Sequence, residues 1–84
     1  MWVLYLLECQ RGSRIVYYTG ITTDVLRRFN EHKTGTGARF TRANYPIQIL
    51  ATCEFPNRSS ASRAEAAVKK LPRHKKLLYF NQTS

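Results

Sequence analysis

The spacing of hydrophobic and polar positions changes along the chain, and each change marks an element. Trp2 to Cys9 is apolar apart from Glu8, which predicts a short central strand covered on both faces. Gln10 to Arg14, centred on Gly12, has turn composition, and Ile15 to Gly20 is a second strand rich in β-branched and aromatic residues. The pair reads as an antiparallel hairpin. A turn centred between Arg11 and Gly12 would set Tyr5 opposite Tyr18, so that both phenols share one face. Thr23 or Asp24 then caps a helix running to about Lys33, with Val25, Leu26 and Phe29 as its core stripe and Gly35 as its stop. Thr34 to Tyr45 reads as a loop rich in Gly and Thr. In the segment Pro46 to Phe55, Ile47, Ile49, Ala51, Cys53 and Phe55 alternate with Gln48, Thr52 and Glu54, which predicts a third strand bounded by Pro46 and Pro56. Ser59 or Ser60 opens a second helix whose inward stripe is Ala61, Ala64, Val68 and Leu71, and Pro72 ends it. Arg73 to Phe80 adds a last basic turn or two of helix, with Pro72 at its first position.

Size and charge narrow what such a chain does. Its 84 residues make one domain, close to the lower limit for a core without a staple. With 43% hydrophobic residues, disorder is a poor reading. Cys9 and Cys53 have no CxxC spacing and sit in apolar runs, as small buried hydrophobes do. No apolar stretch approaches the roughly 20 residues that span a bilayer, and Met1 leads directly into a strand-like run without a basic leader. A cytoplasmic or nucleoid-associated protein with reduced thiols is expected. The 14 Lys and Arg against 5 Asp and Glu leave a net charge of +9. Such a surplus favours a polyanionic partner, nucleic acid first, because each cation that meets a phosphate releases condensed counterions. The basic residues are not gathered on one amphipathic helix, which argues against an acidic membrane as partner. The Gly- and Thr-rich loop carries Arg39, Phe40, Arg42 and Tyr45, a composition suited to lying along a phosphate backbone.

Three sets of residues are candidates for chemistry. Glu65 falls on or beside the inward stripe of the second helix, where a carboxylate needs a partner. It is either half of a capping box with Ser62 or a ligand for a hard divalent cation such as Mg²⁺. Arg28 and His32, four apart, lie together beside the core stripe of the first helix; they are either a solvated basic face or a phosphate clamp. Tyr5 and Tyr18, as a facing pair near a cation, would lower one another's proton affinity or position a water.

In their order and spacing these residues resemble the GIY-YIG nuclease superfamily, most closely its small stand-alone YhbQ-like branch of UPF0213 type. The resemblance covers nearly the whole chain. The signature tripeptides stand here as Val3-Leu4-Tyr5 and Tyr18-Thr19-Gly20, followed by Ile21 to His32, the Gly-x-Gly-Ala stretch from Gly35 to Ala38, Phe40-Thr41-Arg42, and Arg63 to Lys69. The first tripeptide has lost its Gly and Ile, and Thr19 replaces the usual Ile, so the tyrosines are kept while their neighbours change. The interval between them is slightly long, which places an extra residue or two at the hairpin tip.

The resemblance implies an α+β fold, a three-stranded antiparallel sheet flanked by helices, in a single GIY-YIG catalytic domain over residues 1–84. It implies a metal-dependent DNA endonuclease, with Mg²⁺ or Mn²⁺ as cofactor. Tyr5 or Tyr18 would help deprotonate the attacking water, Arg28 would steady the phosphate, His32 would assist in proton transfer or phosphate contact, and Glu65 would hold the metal. Asn81 is the only counterpart near the end for a late asparagine that some members use. The basic positions expected to meet nucleic acid are Arg27, Lys33, Arg39, Arg42 and Lys69. With no recognition domain, few side chains reach base edges, so selectivity should be low or directed by DNA structure, in repair or processing. The rival readings are a catalytically inactive nucleic-acid-binding module of the same fold and an RNA-associated basic protein.

Overall fold

The computed structural model describes residues 1–83, and their side chains as far as Asn81. Strands β1 (Trp2–Arg11), β2 (Arg14–Thr22) and β3 (Tyr45–Phe55) are joined and covered by helices α1 (Val25–Thr34), α2 (Arg39–Ala43), α3 (Arg58–Lys69) and α4 (Arg73–Thr83). The sheet is antiparallel in the order β2-β1-β3, so the apolar first strand is the central one, as its composition predicts. Leu4, Leu6, Ala64, Val68 and Phe80 form the core between one face of the sheet and the α3/α4 layer. Tyr5, Leu7 and Cys9 point to the other face and pack with Val16, Tyr18, Ile49 and the α1 residues Val25 and Phe29.

The hairpin register differs from the expected one. Arg11 pairs with Arg14 across Gly12-Ser13, Tyr5 faces Gly20, and Tyr18 faces Leu7. Gly12 has φ +61°, and among the described residues only glycines have positive φ, which matches the hairpin class that wants glycine at its first central position. The long interval between the tyrosines therefore lengthens the strands and leaves a tight tip. A slip of two positions keeps every side chain on its face, so Tyr5 and Tyr18 still share one, their ring centroids 6.3 Å apart.

The simple alternation expected of β3 fails. Its pairing with β1 shifts between Leu6 and Leu7 and again between Glu8 and Cys9, leaving Leu50 and Ile47 as the extra residues of two bulges. Ile49 consequently packs with Tyr5 and Leu7, whereas Leu50, Ala51, Cys53 and Phe55 pack in the opposite layer, and Ile47 is exposed. Pro46 lies inside the strand, tolerated because β3 is an edge. The other edge is partly covered: Arg73, at the start of α4, donates to the Ile15 carbonyl of β2.

Local chemistry sets the helix ends. Asp24 accepts from Arg27 N–H as the N-cap of α1, worth about 1 kcal/mol. Gly35, at φ +84°, closes the helix by donating to the carbonyls of Glu31 and His32. The stripe of α1 is Val25, Phe29 and His32. Leu26, expected in it, is 68% exposed, because the helix rolls to turn His32 inward. The segment read as a loop contains α2, a short helix with Thr41 buried. Asn57, ahead of the two serines expected to cap α3, is its N-cap and accepts from Ser60 N–H. Ser62 therefore lies within the helix, which removes the capping-box account of Glu65. Helix α3 ends at Lys69, before Leu71 and Pro72, and α4 runs on beyond Phe80 to Thr83. Cys9 is buried and Cys53 is partly buried. No helix among the described residues is long and apolar enough to cross a membrane.

Candidate functional site

The site begins at a missing side chain. Tyr5 projects from the central strand across Gly20 of its neighbour, and a Cβ on Gly20 would lie 2.6 Å from Tyr5 Cζ. The glycine thus leaves the gap that lets the phenol cross β2 and meet α1. There the Tyr5 hydroxyl lies 2.9 Å from His32 Nε2. Arg28, one turn earlier on α1, lies beside the same phenol and favours its ionised form.

His32 is only 1% exposed, so the solvated basic face is the wrong account of it. Its Nδ1 lies 2.8 Å from Thr41 Oγ1, and that hydroxyl donates its one proton to the Ala38 carbonyl at 2.9 Å. Thr41 can then only accept, which assigns the imidazole proton to Nδ1 and leaves the Nε2 lone pair to accept from Tyr5. Ala38 N–H also approaches Nδ1, at 3.4 Å; the much shorter Thr41 contact takes the single in-plane position there. Gly37 keeps this corner open, since a Cβ on it would come within 3.0 Å of His32 Cε1.

Burial lowers the pKa of His32, and the Arg28 charge lowers it further, with Glu31 opposing. The ring is therefore neutral at pH 7. Burial, then Tyr18, pushes Tyr5 up to about 12, with Arg28 pulling the other way. This corrects the expectation that the two phenols lower one another's proton affinity: crowding two such groups together penalises a second negative charge. Tyr18 packs its ring edge-on to His32 with centroids 5.0 Å apart and stacks on Phe40 at 5.5 Å.

Because the fold favours neutral His32, the linkage has a definite sign. As pH falls below the ordinary histidine value of about 6.5, the unfolded chain gains the proton before the folded one does. Stability is complete above that value and is lost as pH falls toward the lower folded value, by about 1.4 kcal/mol per unit inside the window. Urea midpoints measured between about pH 7 and about pH 5 should show this fall, and His32→Asn should flatten it. An equal slope in both proteins would mean that other groups carry the pH dependence.

Arg28 is paired with Glu31 at 3.0 Å, and this contact, followed by the Tyr5 phenol, holds the guanidinium charged. Glu65 comes from the opposite layer, on α3, with its side chain 23% exposed and 3.4 Å from Lys69 Nζ. Its charge is felt at the Tyr5 phenol. The two layers meet at the end of the sheet, where a cleft of about 300 Å³ is lined by Trp2, Thr23, Arg27, Arg28, Glu31 and Arg58, among others. A roomier cavity of about 510 Å³, between Arg14, Tyr17, Arg73 and Lys76, contains none of the expected site residues.

The structure therefore brings Tyr5, Tyr18 and His32 into direct contact, sets Arg28 beside the Tyr5 phenol and keeps Glu65 within electrostatic reach of it. Arg27, Lys33, Arg39 and Arg42 are exposed on α1 and α2, and Lys69 is tied to Glu65. Asn81 is exposed on α4. Sequence reasoning missed Glu31, although its place three residues after Arg28 on a helix was a usable sign. It also missed Thr41 and Gly37 as supports of His32; only the Phe40-Thr41-Arg42 and Gly-x-Gly-Ala matches pointed to them. No group of three His, Cys, Asp or Glu residues is placed to hold a metal among the described residues.

Comparison with known proteins gives a consistent picture. The GIY-YIG catalytic domain family matches residues 1–77. The UPF0213 protein XAC3202 of Xanthomonas axonopodis pv. citri is 59% identical over 79 residues, covering 94% of this chain and 74% of that protein. The UPF0213 protein SAG0778 of Streptococcus agalactiae is 47% identical, covering 94% and 86%. Among solved structures, the solution NMR structure of the UPF0213 protein BH0048 from Bacillus halodurans is 38% identical, with TM-score 0.50 over 95% of this chain and 84% of that one. Its likeness supports the three-stranded antiparallel sheet and flanking helices seen here.

Proposed function

Since the chain belongs to the GIY-YIG catalytic domain family, we propose that it is a metal-dependent DNA endonuclease that hydrolyses phosphodiesters with low or structure-directed selectivity, in DNA repair or processing. The observation that carries this reading is the Tyr5 hydroxyl held between Arg28 and the bare Nε2 of neutral His32. A phenol with a pKa of about 12 is not ionised at pH 7. Tyr5 can still accept a proton from the attacking water as it passes its own to His32, and Thr41 keeps the imidazole in the tautomer that receives it. Tyr18 holds the edge of that ring. Arg28 offers its fork to the phosphoryl oxygens, where charge grows in the transition state. Its bond to Glu31 is half-exposed and yields to a phosphate at modest cost.

Glu65 is the residue that would hold the metal. A lone carboxylate suits Mg²⁺, which takes one or two such ligands and completes its shell with water and phosphate oxygens. It does not suit a cation that demands several protein ligands. Bound there, the metal would lower the pKa of a water and neutralise phosphoryl charge. Exposed Arg27, Lys33, Arg39 and Arg42 would hold the rest of the backbone, with Lys69 joining them when it leaves Glu65.

The test is to incubate supercoiled and branched DNA with the protein and Mg²⁺ or Mn²⁺, alongside Tyr5→Phe, Arg28→Ala and Glu65→Ala. Wild type should cut, and each substitution should slow cutting by about 10²-fold or more. Cutting that survives all three would remove the assigned site. A DNA-binding module without turnover is the second reading. It is favoured by the two ion pairs that occupy Arg28 and Glu65 in this structure, and it predicts binding with no cutting under any metal.

A further inference from the structure

The chain has a single tryptophan, and its position is not explained by the core. Trp2 opens β1, paired with Phe55, and stays half-buried at the end of the sheet. Arg58, the first residue of α3, stands over its indole ring with the guanidinium 5.4 Å from the ring. Both side chains line the cleft that also contains Arg27 and Arg28. Arg28 is paired with Glu31, but neither Arg27 nor Arg58 has a carboxylate partner among the described residues. An aromatic platform flanked by two uncompensated guanidinium groups is the combination that takes a nucleotide, base on the ring and phosphate on the arginines.

Building on the endonuclease reading, we infer that this cleft is a subsite for one unpaired nucleotide beside the phosphate held by Arg28. Its base stacks on the Trp2–Arg58 pair, and Arg27 meets the adjoining phosphate. A base inside an intact duplex is stacked on its neighbours and cannot reach the ring. The subsite therefore selects DNA with a single-stranded segment, such as a flap, branch or frayed end. Selectivity by DNA structure arises here without any contact to a base edge, which a domain this small has little surface to make.

The single indole makes the test direct. Fluorescence of wild-type protein is titrated with an oligothymidylate, with a blunt duplex of the same length and with an oligouridylate. The expected result is quenching by the oligothymidylate and little change with the duplex, while labelled-strand anisotropy shows that both bind. Trp2→Ala should weaken single-strand binding by about tenfold or more and leave duplex binding nearly unchanged. Trp2→Phe, which keeps a ring, should recover most of the loss, and Arg58→Ala should weaken the single-strand complex alone. The subsite is overturned if both DNAs bind without a change in Trp2 fluorescence, or if Trp2→Ala weakens both equally. Stronger quenching and binding by the oligouridylate would assign the cleft to RNA and overturn it as stated. If the protein cuts or binds no DNA in any form, the endonuclease reading falls and takes the subsite with it. Undiminished cutting with a silent indole removes the subsite alone.

Discussion

Replacing Gly20 with alanine is expected to slow cutting by about 10²-fold while removing no functional group. The added methyl would lie 2.6 Å from Tyr5 Cζ and 3.1 Å from Cε1, well inside contact distance. Tyr5 has nowhere to go, because it is 1% exposed and packed among Leu7, Cys9 and the α1 residues. The ring must tilt, and its hydroxyl leaves His32 and Arg28 together. Overpacking of this kind costs about 1–3 kcal/mol of stability. A displacement of about 1 Å at a reacting group costs about 10²-fold in rate. Urea unfolding and plasmid cutting of Gly20→Ala, read together, check both figures. A variant as stable and as active as wild type would show that Tyr5 does not depend on this gap.

Arg28 carries the second large effect. Arg28→Ala should lower kcat by about 10²–10³-fold, as when a preorganised donor to a growing oxyanion is removed. Arg28→Lys should recover only part of this, since an ammonium supplies charge without the planar fork. Glu31→Gln is the control, because it removes the resting partner and leaves the guanidinium in place. Its cost in stability should stay below about 1 kcal/mol, the ordinary worth of a part-exposed pair. Single-turnover cutting rates of the three variants distinguish these roles. Equal rates for Arg28→Lys and wild type would mean that a point charge is enough, and an unimpaired Arg28→Ala would remove Arg28 from the chemistry.

These effects depend on contacts of different legibility. The three strands, helices α1 and α3, and the common face of Tyr5 and Tyr18 follow from period and composition, which are local. The N-cap at Asp24 and the stop at Gly35 are equally local. The register of the hairpin is not, since it turns on whether Gly12 is the first or second residue of the turn. The bulges of β3 also escape a sequence reading, because alternation assumes that neither strand carries an extra residue. Leu26 was misplaced for a related reason: two stripes fit α1, and only the polar partners of His32 decide which faces inward. Arg28 and Glu65 were identifiable as charges near inward stripes, and the roles proposed for them rest on their ordered resemblance to a nuclease family. Their resting partners, Glu31 and Lys69, became clear only in three dimensions.

By itself, then, the sequence determined an antiparallel hairpin and a third strand packed with helices, a large surplus of basic residues, and the candidate residues from which the proposed phosphodiesterase site is built. Only the tertiary structure decided what those residues are in chemical terms. It buried His32 and so made it neutral, and it threaded Tyr5 across Gly20 and so gave the phenol a partner. It also brought Trp2, Arg27 and Arg58 from different elements into one cleft. Proton affinity depends on burial and on distances between residues remote along the chain, and so does the proposed nucleotide subsite. Those quantities do not exist until the sheet and its two helical layers have closed.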